Sequence, residues 1–259
     1  MLGITSLASG SKGNATLIEA ENEAILIDCG LSFKNLRERL ASIDFDIDKL
    51  RAIFVTHEHG DHIAGIKTAS NSLKIPVYAN MMTSNIVRSK NKAPEQFTIF
   101  ENGCQIPVGS MIVEPFSVPH DGVDSVAYTV QNADKKVAVA TDFGFPSQMV
   151  KMKLQGCDAM VLEANYDEDM IKEVNRPWRT IQRIMGRHGH LSNEQSMEML
   201  ESVAETEKLH TVIMGHVSRD SNTYELVEEL CHKKLAEINR TDITVKVARQ
   251  EHVTPTVWA

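Results

Sequence analysis

The residues best suited to chemistry stand together in one short segment, His57-Glu58-His59-Gly60-Asp61-His62. In an extended segment, side chains at i and i+2 point the same way, so His57 and His59 can reach one cation together. Asp61 and His62 follow a bend and would face a second, neighbouring ion. The segment therefore predicts two metal ions side by side. The alternative is a histidine-rich polar loop, although clustering three imidazoles and a carboxylate without a metal gains little.

The flanking sequence places this segment at the carboxyl end of a strand. The apolar run 52–55 predicts a strand and the run 63–69 a helix, an arrangement typical of sites in α/β proteins. Four more apolar strands end on residues that could bind or support a metal, namely Asp28, His120, Asp142 and His216. We interpret Asp28 as a residue that orients the histidines rather than as a ligand. Together, the five strand ends predict one metal site.

The remaining pattern predicts strands in two runs, one in each half of the chain, each accompanied by helices. Antiparallel strands are expected between about 97 and 119, and helices near 177–187, 193–206 and 219–238. This order favours an α/β sandwich in which two mixed sheets pack face to face with helices outside. We expect one domain spanning residues 1–259.

The order of the candidate ligands resembles the metallo-β-lactamase superfamily over nearly the whole chain. The resemblance implies an αββα fold and a centre of two divalent ions, Zn²⁺, Mn²⁺ or Fe²⁺. By position, the first ion would be bound by His57, His59 and His120. The second would be bound by Asp61, His62 and His216. Asp142 would bridge the two ions, which is similar to the hydrolase and nuclease branches and unlike the β-lactamases.

Two further elements resemble the tRNase Z and RNase J nucleases. These are Glu163, at the end of a predicted strand, and Gly189-His190-Leu191-Ser192-Asn193, before a predicted helix. The resemblance implies that His190 is a catalytic histidine outside the ligand set, supported by Glu163. Asp61 would orient the nucleophile as well as bind metal. Alternatively, His190 only precedes a helix that Ser192 caps; Ser192 is also a candidate substrate-binding residue.

The large accessory parts of those nucleases are not expected here. Only 21 residues separate His120 from Asp142 (142 − 120 − 1), too few for a tRNase Z arm. The span from Glu163 to His216 leaves no room for a β-CASP insertion. The chain is therefore expected to be a compact member of the family, and it is similar to the YycJ/WalJ group. This resemblance implies 5′-to-3′ exonuclease activity on double-stranded DNA and a link to mismatch repair. The motifs that carry this resemblance are 7–14, 163–167, 189–193, 215–222 and 248–250. Lys12 and Ala15 depart from the usual form of the first motif.

Candidate substrate-binding residues flank the predicted site. Loop 9–14, with Lys12 and Asn14, could cradle an anion with its backbone N–H groups or form a plain hairpin turn. Pro177 can begin a helix, and arginines then recur on one helical face at spacings of three and four. These arginines are Arg176, Arg179, Arg183 and Arg187. Such a stripe could follow a phosphate backbone, or it could be a solvated helix face. Trp178 is expected to be a packing residue.

Composition limits the classes of function. The net charge of −8 over 259 residues argues against a protein that coats nucleic acid by bulk electrostatics, but not against a nuclease with a local basic stripe. The four cysteines form no CxxC pair, so no thiolate zinc site is expected. No apolar run reaches the ~18 residues of a membrane span, and no signal peptide is recognisable. We therefore expect a cytoplasmic protein whose partner is a nucleic acid, DNA, rather than a membrane.

Two other functions stay open. One is a hydrolase of a small ester on the same scaffold, acting on a lactone, a thioester or a cyclic phosphodiester. The other is a nucleic-acid-binding scaffold with a vestigial metal centre. The complete set of seven metal-binding side chains argues against the scaffold, whereas the metal site alone does not exclude the small ester.

Overall fold

Two seven-stranded sheets form the centre of the protein, whose computed structural model describes residues 1–259. The first sheet contains β1 (Gly3–Ala8), β2 (Ala15–Ala20), β3 (Glu23–Ile27), β4 (Leu50–Phe54), β5 (Val77–Asn80), β6 (Phe97–Phe100) and β14 (Val257–Trp258). The second contains β7 (Ile106–Val108), β8 (Met111–Ser117), β9 (Val126–Asn132), β10 (Lys135–Ala140), β11 (Ala159–Glu163), β12 (Thr211–Gly215) and β13 (Thr244–Val247). The spatial orders are β14-β1-β2-β3-β4-β5-β6 and β13-β12-β11-β10-β9-β8-β7. Both sheets are mixed, with parallel runs from β3 to β6 and from β10 to β13.

Nine helices accompany the two sheets. They are α1 (Phe33–Ala41), α2 (Gly60–Ile63), α3 (Ile66–Leu73), α4 (Met81–Ser89), α5 (Gln148–Leu154), α6 (Met170–Glu173), α7 (Trp178–Met185), α8 (Asn193–Ala204) and α9 (Tyr224–Glu237), with one 3₁₀ turn at Ile47–Lys49. The apolar faces of α1, α3 and α4 pack on the first sheet, and those of α5, α8 and α9 on the second. These four layers confirm the predicted αββα sandwich. No helix is both long enough and apolar enough to cross a lipid bilayer.

A third cluster of buried side chains fills the space between the sheets. Phe54 of β4 stacks on Tyr78 at a centroid distance of 4.6 Å and meets the edge of Tyr128 at 5.7 Å. The Tyr128 hydroxyl donates a 2.6 Å hydrogen bond to the carbonyl oxygen of Val55. Because Tyr128 belongs to the second sheet, this bond ties the end of β4 to the opposite layer, next to His57.

The parallel strands of each sheet end at a common edge. Strands β3, β4, β11 and β12 are apolar almost throughout and buried on both faces, as parallel strands between helix layers and a second sheet require. The side chains that follow them therefore converge. The segment between His120 and Asp142 contains β9 and β10 and so belongs to the second sheet.

Several predicted boundaries are wrong in detail. The predicted antiparallel region near 97–119 is divided, because β6 pairs in parallel with β5 and only β7 and β8 form a hairpin. The helix predicted from 219 begins at Tyr224, where the Thr223 hydroxyl accepts a hydrogen bond from the Leu226 N–H. Residues 217–223 therefore form a loop after β12 instead of the first turns of a helix. The predicted helix 63–69 is two helices, so Asp61 lies inside a helical turn.

Candidate metal centre

Strand ends of both sheets bring the predicted site residues together. From the first sheet, Asp28 follows β3, and the segment 57–62 follows β4. From the second sheet, His120, Asp142 and His216 follow β8, β10 and β12. Three of these residues have left-handed backbone conformations, with φ of 61° at Asp28, 61° at Asp142 and 54° at His216. Such residues cost ~1–3 kcal/mol each and concentrate at functional sites.

The first group of donors is made of imidazoles. One ring nitrogen from each of His57, His59 and His120 lies within 4.8 Å of the others. The Nδ1 of His120 lies 2.9 Å from the Gly189 carbonyl oxygen, to which it donates, so its Nε2 faces the group. The Nε2 atoms of His57 and His120 are buried and have no hydrogen-bond partner. Burial and the neighbouring imidazoles hold the pKa of His57 well below its usual range. Neutral imidazole is the form that binds metal.

The second group combines histidines with a carboxylate. Ligand atoms of Asp61, His62 and His216 lie within 4.8 Å of one another. The Nδ1 of His62 lies 2.7 Å from Oδ2 of Asp28, which directs the His62 Nε2 into the group. The Asp28 carboxylate also accepts from the Thr56 N–H and hydroxyl, both at 2.8 Å. Asp28 thus contacts a histidine rather than the centre, the geometry expected of a supporting residue.

Asp142 lies between the two groups. Its carboxylate oxygens are 3.4 Å from Nε2 of His62, 3.4 Å from Nδ1 of His216 and 4.0 Å from Nε2 of His120. Its Oδ2 is buried without a hydrogen-bond partner. Although burial raises the pKa of Asp142, the surrounding imidazoles of His216 and His62 hold it below its usual value.

The donor set fits a divalent metal. One buried carboxylate oxygen, of Asp142, and three ring nitrogens, of His57, His120 and His216, have no partners, an arrangement that costs free energy unless a cation satisfies them. Without metal, protons take that role: burial lowers the pKa of His216, but Asp142 and Asp61 raise it to about 10. Burial likewise lowers the pKa of His62, and Asp142 and Asp28 raise it well above its usual range. Nitrogen and oxygen donors of this kind suit zinc, manganese and iron.

Glu163 supports two histidines at once. It is fully buried, and its Oε1 lies 2.8 Å from Nδ1 of His190 and 2.9 Å from Nδ1 of His216. Its Oε2 accepts from the backbone N–H groups of Phe143 and Leu191 at 3.0 and 3.3 Å. Burial raises the pKa of Glu163, but the two imidazoles hold it well below its usual range. The carboxylate therefore fixes which ring nitrogen each histidine presents to the site.

Several supporting residues were not predicted from the sequence. The Ser9 hydroxyl accepts a 2.7 Å hydrogen bond from the His216 N–H, and the Asn165 side-chain amide donates to the His216 carbonyl oxygen at 2.8 Å. The Thr56 hydroxyl lies 2.9 Å from Nδ1 of His57. Thr56 directly precedes His57, and Asn165 lies two residues after Glu163, which is the one local indication of their role.

Loop 9–14 does not form the anion cradle considered above. The N–H of Gly10 donates to Oδ1 of Asn14, that of Lys12 to Oε1 of Gln250, and that of Gly13 to the Gly10 carbonyl. These N–H groups are therefore occupied within the protein. The side-chain amide of Asn14 lies 3.2 Å from Oδ2 of Asp61 and 3.0 Å from Nε2 of His62. Asn14 is thus placed against predicted ligands, while Lys12 is exposed beside them.

The predicted arginine stripe is wrong as a continuous helical face. Helix α7 covers only Trp178–Met185, so Arg176 precedes it and Arg187 follows it. Arg176 and Arg183 line the cavity above the metal centre. Arg179 does not line it, and the Arg187 guanidinium lies 3.7 Å over the ring of Phe145. The turn after α7 redirects the chain, because the His190 N–H donates to the Ile184 carbonyl.

Two further expectations are corrected. Ser192 is fully buried, and its hydroxyl accepts from the Gln195 N–H in a capping box at the start of α8. It therefore cannot contact a substrate and acts as a cap. Trp178 is 60 % exposed rather than packed, because Ile181 supplies the buried contact of α7.

The cavity above the metal centre has a basic rim. Its volume is about 520 Å³, and its floor includes His59, Asp61, Asp142, His190 and His216. The cationic side chains that line it are Lys12, Arg176, Arg183 and Arg219. Each arginine also meets a carboxylate, in the pairs Arg176–Asp220, Arg183–Asp121 and Arg219–Glu251. A second cavity, of about 530 Å³, lies against the largely apolar face of α1 and contains no group of metal-binding side chains.

Comparison with known proteins agrees with this geometry. A family model described as the beta-lactamase superfamily domain matches residues 23–213. The chain is 34 % identical over 227 residues to exodeoxyribonuclease YycJ of Bacillus anthracis, covering 87 % of this chain and 86 % of that protein. It is 33 % identical over 236 residues to exodeoxyribonuclease WalJ of Streptococcus pneumoniae, covering 89 % and 87 %.

A solved structure shows the same fold. The metallo-β-lactamase fold protein YhfI from Bacillus subtilis superposes with a TM-score of 0.74 at 14 % identity, covering 98 % of both chains. The family match, the two relatives and the fold together show that this chain belongs to the metallo-β-lactamase superfamily, as a metal-dependent hydrolase resembling YycJ and WalJ.

Proposed function

We propose that the protein is an exonuclease that degrades double-stranded DNA from the 5′ end, with two divalent ions held in the metal centre. The relatives named exodeoxyribonucleases support a DNA substrate, since their match covers most of both chains. The direction of digestion, the preference for a duplex and a role in DNA repair are parts of the same proposal. A DNA substrate also agrees with the proposed cytoplasmic location.

The observation that carries the proposal is the basic rim. The chain has a net charge of −8, yet four cationic side chains line this one cavity. Bulk charge would repel a polyanion, whereas these cations can hold consecutive phosphates above the metal centre, three of them by exchanging a carboxylate partner for a phosphate. A small neutral ester such as a lactone has no use for these cations.

The proposed metal ligands divide as the two groups do. One ion would be held by His57, His59 and His120. The other ion would be held by Asp61, His62 and His216. Asp142 would bind both ions. Bound divalent ions would neutralise charge on the phosphoryl oxygens and acidify the attacking water. Asp61 is positioned to orient that water, because its carboxylate lies at the cavity floor and is held by Asn14 at 3.2 Å.

His190 is the proposed proton donor to the leaving 3′ oxygen. Its Nδ1 is engaged by Glu163, which leaves Nε2 as the ring nitrogen that can donate. The buried carboxylate holds the ring in the orientation that the transfer needs. Lys12, Arg176 and Arg183 would position the phosphates next to it.

The test is a panel of substrates with one protein preparation. Metal-loaded protein is incubated separately with duplex DNA, single-stranded DNA, RNA, a cyclic nucleotide and a lactone, with Mn²⁺ and Zn²⁺ in parallel. The His59→Ala variant removes a proposed ligand, and the His252→Ala variant is the control outside the site. We expect metal-dependent cleavage of duplex DNA that His59→Ala abolishes and His252→Ala keeps. Cleavage of the lactone alone would contradict the nuclease, and DNA binding without cleavage under either metal would favour a scaffold.

A further inference from the structure

Asp121 stands beside the first group of histidines without belonging to the seven proposed ligands. Its Oδ1 lies 3.3 Å from Nε2 of His120 and 3.5 Å from Nε2 of His59. The Nε2 of His120 is buried and has no hydrogen-bond partner. The carboxylate oxygen therefore faces the same space as the ring nitrogens that would hold the first ion.

These separations have the size expected between two ligands of one ion. Two donors at ~2.1 Å from a tetrahedral metal are ~3.4 Å apart. The values of 3.3 and 3.5 Å for Asp121 match that edge length against two different histidines. An ion pair needs only one such contact, whereas Asp121 meets two histidines of the same group.

The other carboxylate oxygen is fixed from the opposite side. Oδ2 of Asp121 accepts from the Arg183 guanidinium, on the wall of the cavity. Arg183 thus orients an anionic oxygen towards His59 and His120.

The distribution of charge gives an independent reason. The second group contains its own carboxylate, Asp61, and shares Asp142, whereas the first group of three histidines contains no carboxylate. Asp121 would give each ion one carboxylate of its own beside the shared one. An added anionic oxygen also favours higher coordination numbers and the harder Mn²⁺ over tetrahedral Zn²⁺.

We infer that Asp121 is an additional ligand of the ion held by His57, His59 and His120. The inference rests on the proposed pair of ions but not on the proposed DNA substrate. The competing role is that Asp121 only positions Arg183 for the substrate, in which case metal binding would not depend on it.

Metal titration distinguishes the two roles without any nuclease assay. Metal-free wild type, Asp121→Ala, Asp121→Asn and Arg183→Met are titrated with Mn²⁺ by calorimetry, and bound manganese is counted after gel filtration. We expect two ions in the wild type, with the affinity for one of them lowered about 10–100-fold or more in Asp121→Ala. Asp121→Asn keeps an oxygen donor but loses the charge, so its affinity for this ion should lie between those of the wild type and Asp121→Ala. Arg183→Met keeps the Asp121 carboxylate and removes only the guanidinium that orients it, so it should lower the affinity less than Asp121→Ala does.

Thermal unfolding of the metal-free proteins shows whether each variant is folded. If Asp121→Ala fails to fold, Asp121→Asn carries the comparison with Arg183→Met. Two ions bound with wild-type affinity by the folded Asp121 variant would overturn the inference. Equal losses in Asp121→Ala and Arg183→Met would do the same, and so would a wild type that binds a single ion. A protein that binds metal as expected but cleaves no DNA would contradict only the proposed function.

Discussion

Nδ1 of His190 lies 2.8 Å from Oε1 of Glu163, and this carboxylate is fully buried. The same oxygen lies 2.9 Å from Nδ1 of His216, a proposed metal ligand. The Glu163 carboxylate therefore orients both the proposed proton donor, His190, and a proposed metal ligand, His216. The two residues should therefore give different variants. Removing His190 should lower turnover alone, whereas changing Glu163 should lower both turnover and metal affinity.

Replacing His190 with alanine should lower turnover by about 10²–10⁴-fold while metal content stays at the wild-type level. The reason is that His190 supplies a proton but no metal bond in the proposed scheme. Turnover and bound metal are measured on the same preparation. His188→Ala, an exposed histidine two residues earlier, is the matched control and should behave as wild type. Loss of a metal ion in His190→Ala would make His190 a ligand and the scheme wrong.

Glu163→Gln should lower both turnover and metal affinity, the latter by about 10–100-fold. An uncharged amide cannot stabilise two imidazoles, and its NH₂ group would face either the ring N–H groups or the N–H groups of Phe143 and Leu191. Calorimetric titration with Mn²⁺ measures the affinity, and Glu194→Gln, at an exposed position on α8, is the control. Unchanged metal affinity would show that the bond to His216 is unimportant.

Removing metal should destabilise the folded protein without unfolding it. An ion present at 100 times its dissociation constant contributes about 2.7 kcal/mol, which corresponds to about 5–10 °C in melting temperature for a chain of this size. The protein stays folded because protons on His62 and His216 offset the carboxylates. Calorimetric melting with and without a chelator measures the shift. The chelator should have a smaller effect on His59→Ala, and an equal effect would place the stabilising ion elsewhere.

Arg176 should contribute more to DNA binding than Arg179. Arg176 lines the cavity, and Arg179, three residues later, does not. In a His190→Ala background, in which cleavage is slow, Arg176→Ala should weaken binding at every sequence and reduce the slope of log affinity against log salt by about 1. Arg179→Ala should change the slope less. Equal slopes for the two variants would indicate a DNA path outside the cavity.

The αββα fold could be predicted from the sequence because apolar strands and strand-end ligands recur in a fixed order. The structure brings all seven predicted ligands into one site, because the parallel strands of both sheets end at the same edge. Glu163 and His190, predicted by resemblance, also meet there. The local sequence pattern was sufficient to predict a site residue where the position of its side chain follows directly from the end of its own strand.

Contacts between distant parts of the chain could not be predicted in this way. Ser9 meets His216 across 207 positions, and Asp121 meets Arg183 across 62, so neither pairing leaves a local pattern. The arginine stripe failed because spacing shows periodicity but not where a helix ends. Ser192 failed for a related reason, since a helix cap and a substrate contact use the same type of residue.

This metal centre is proposed to remove nucleotides from the 5′ end of duplex DNA. The most direct measurement follows the products from two duplexes, one labelled at the 5′ end and one at the 3′ end of the same strand, in the presence of Mn²⁺. We predict that the 5′ label appears at once as a mononucleotide, while the 3′ label appears in a series of progressively shorter strands. Internal fragments from the 5′-labelled duplex, or an intact substrate with both ions bound, would contradict the claim.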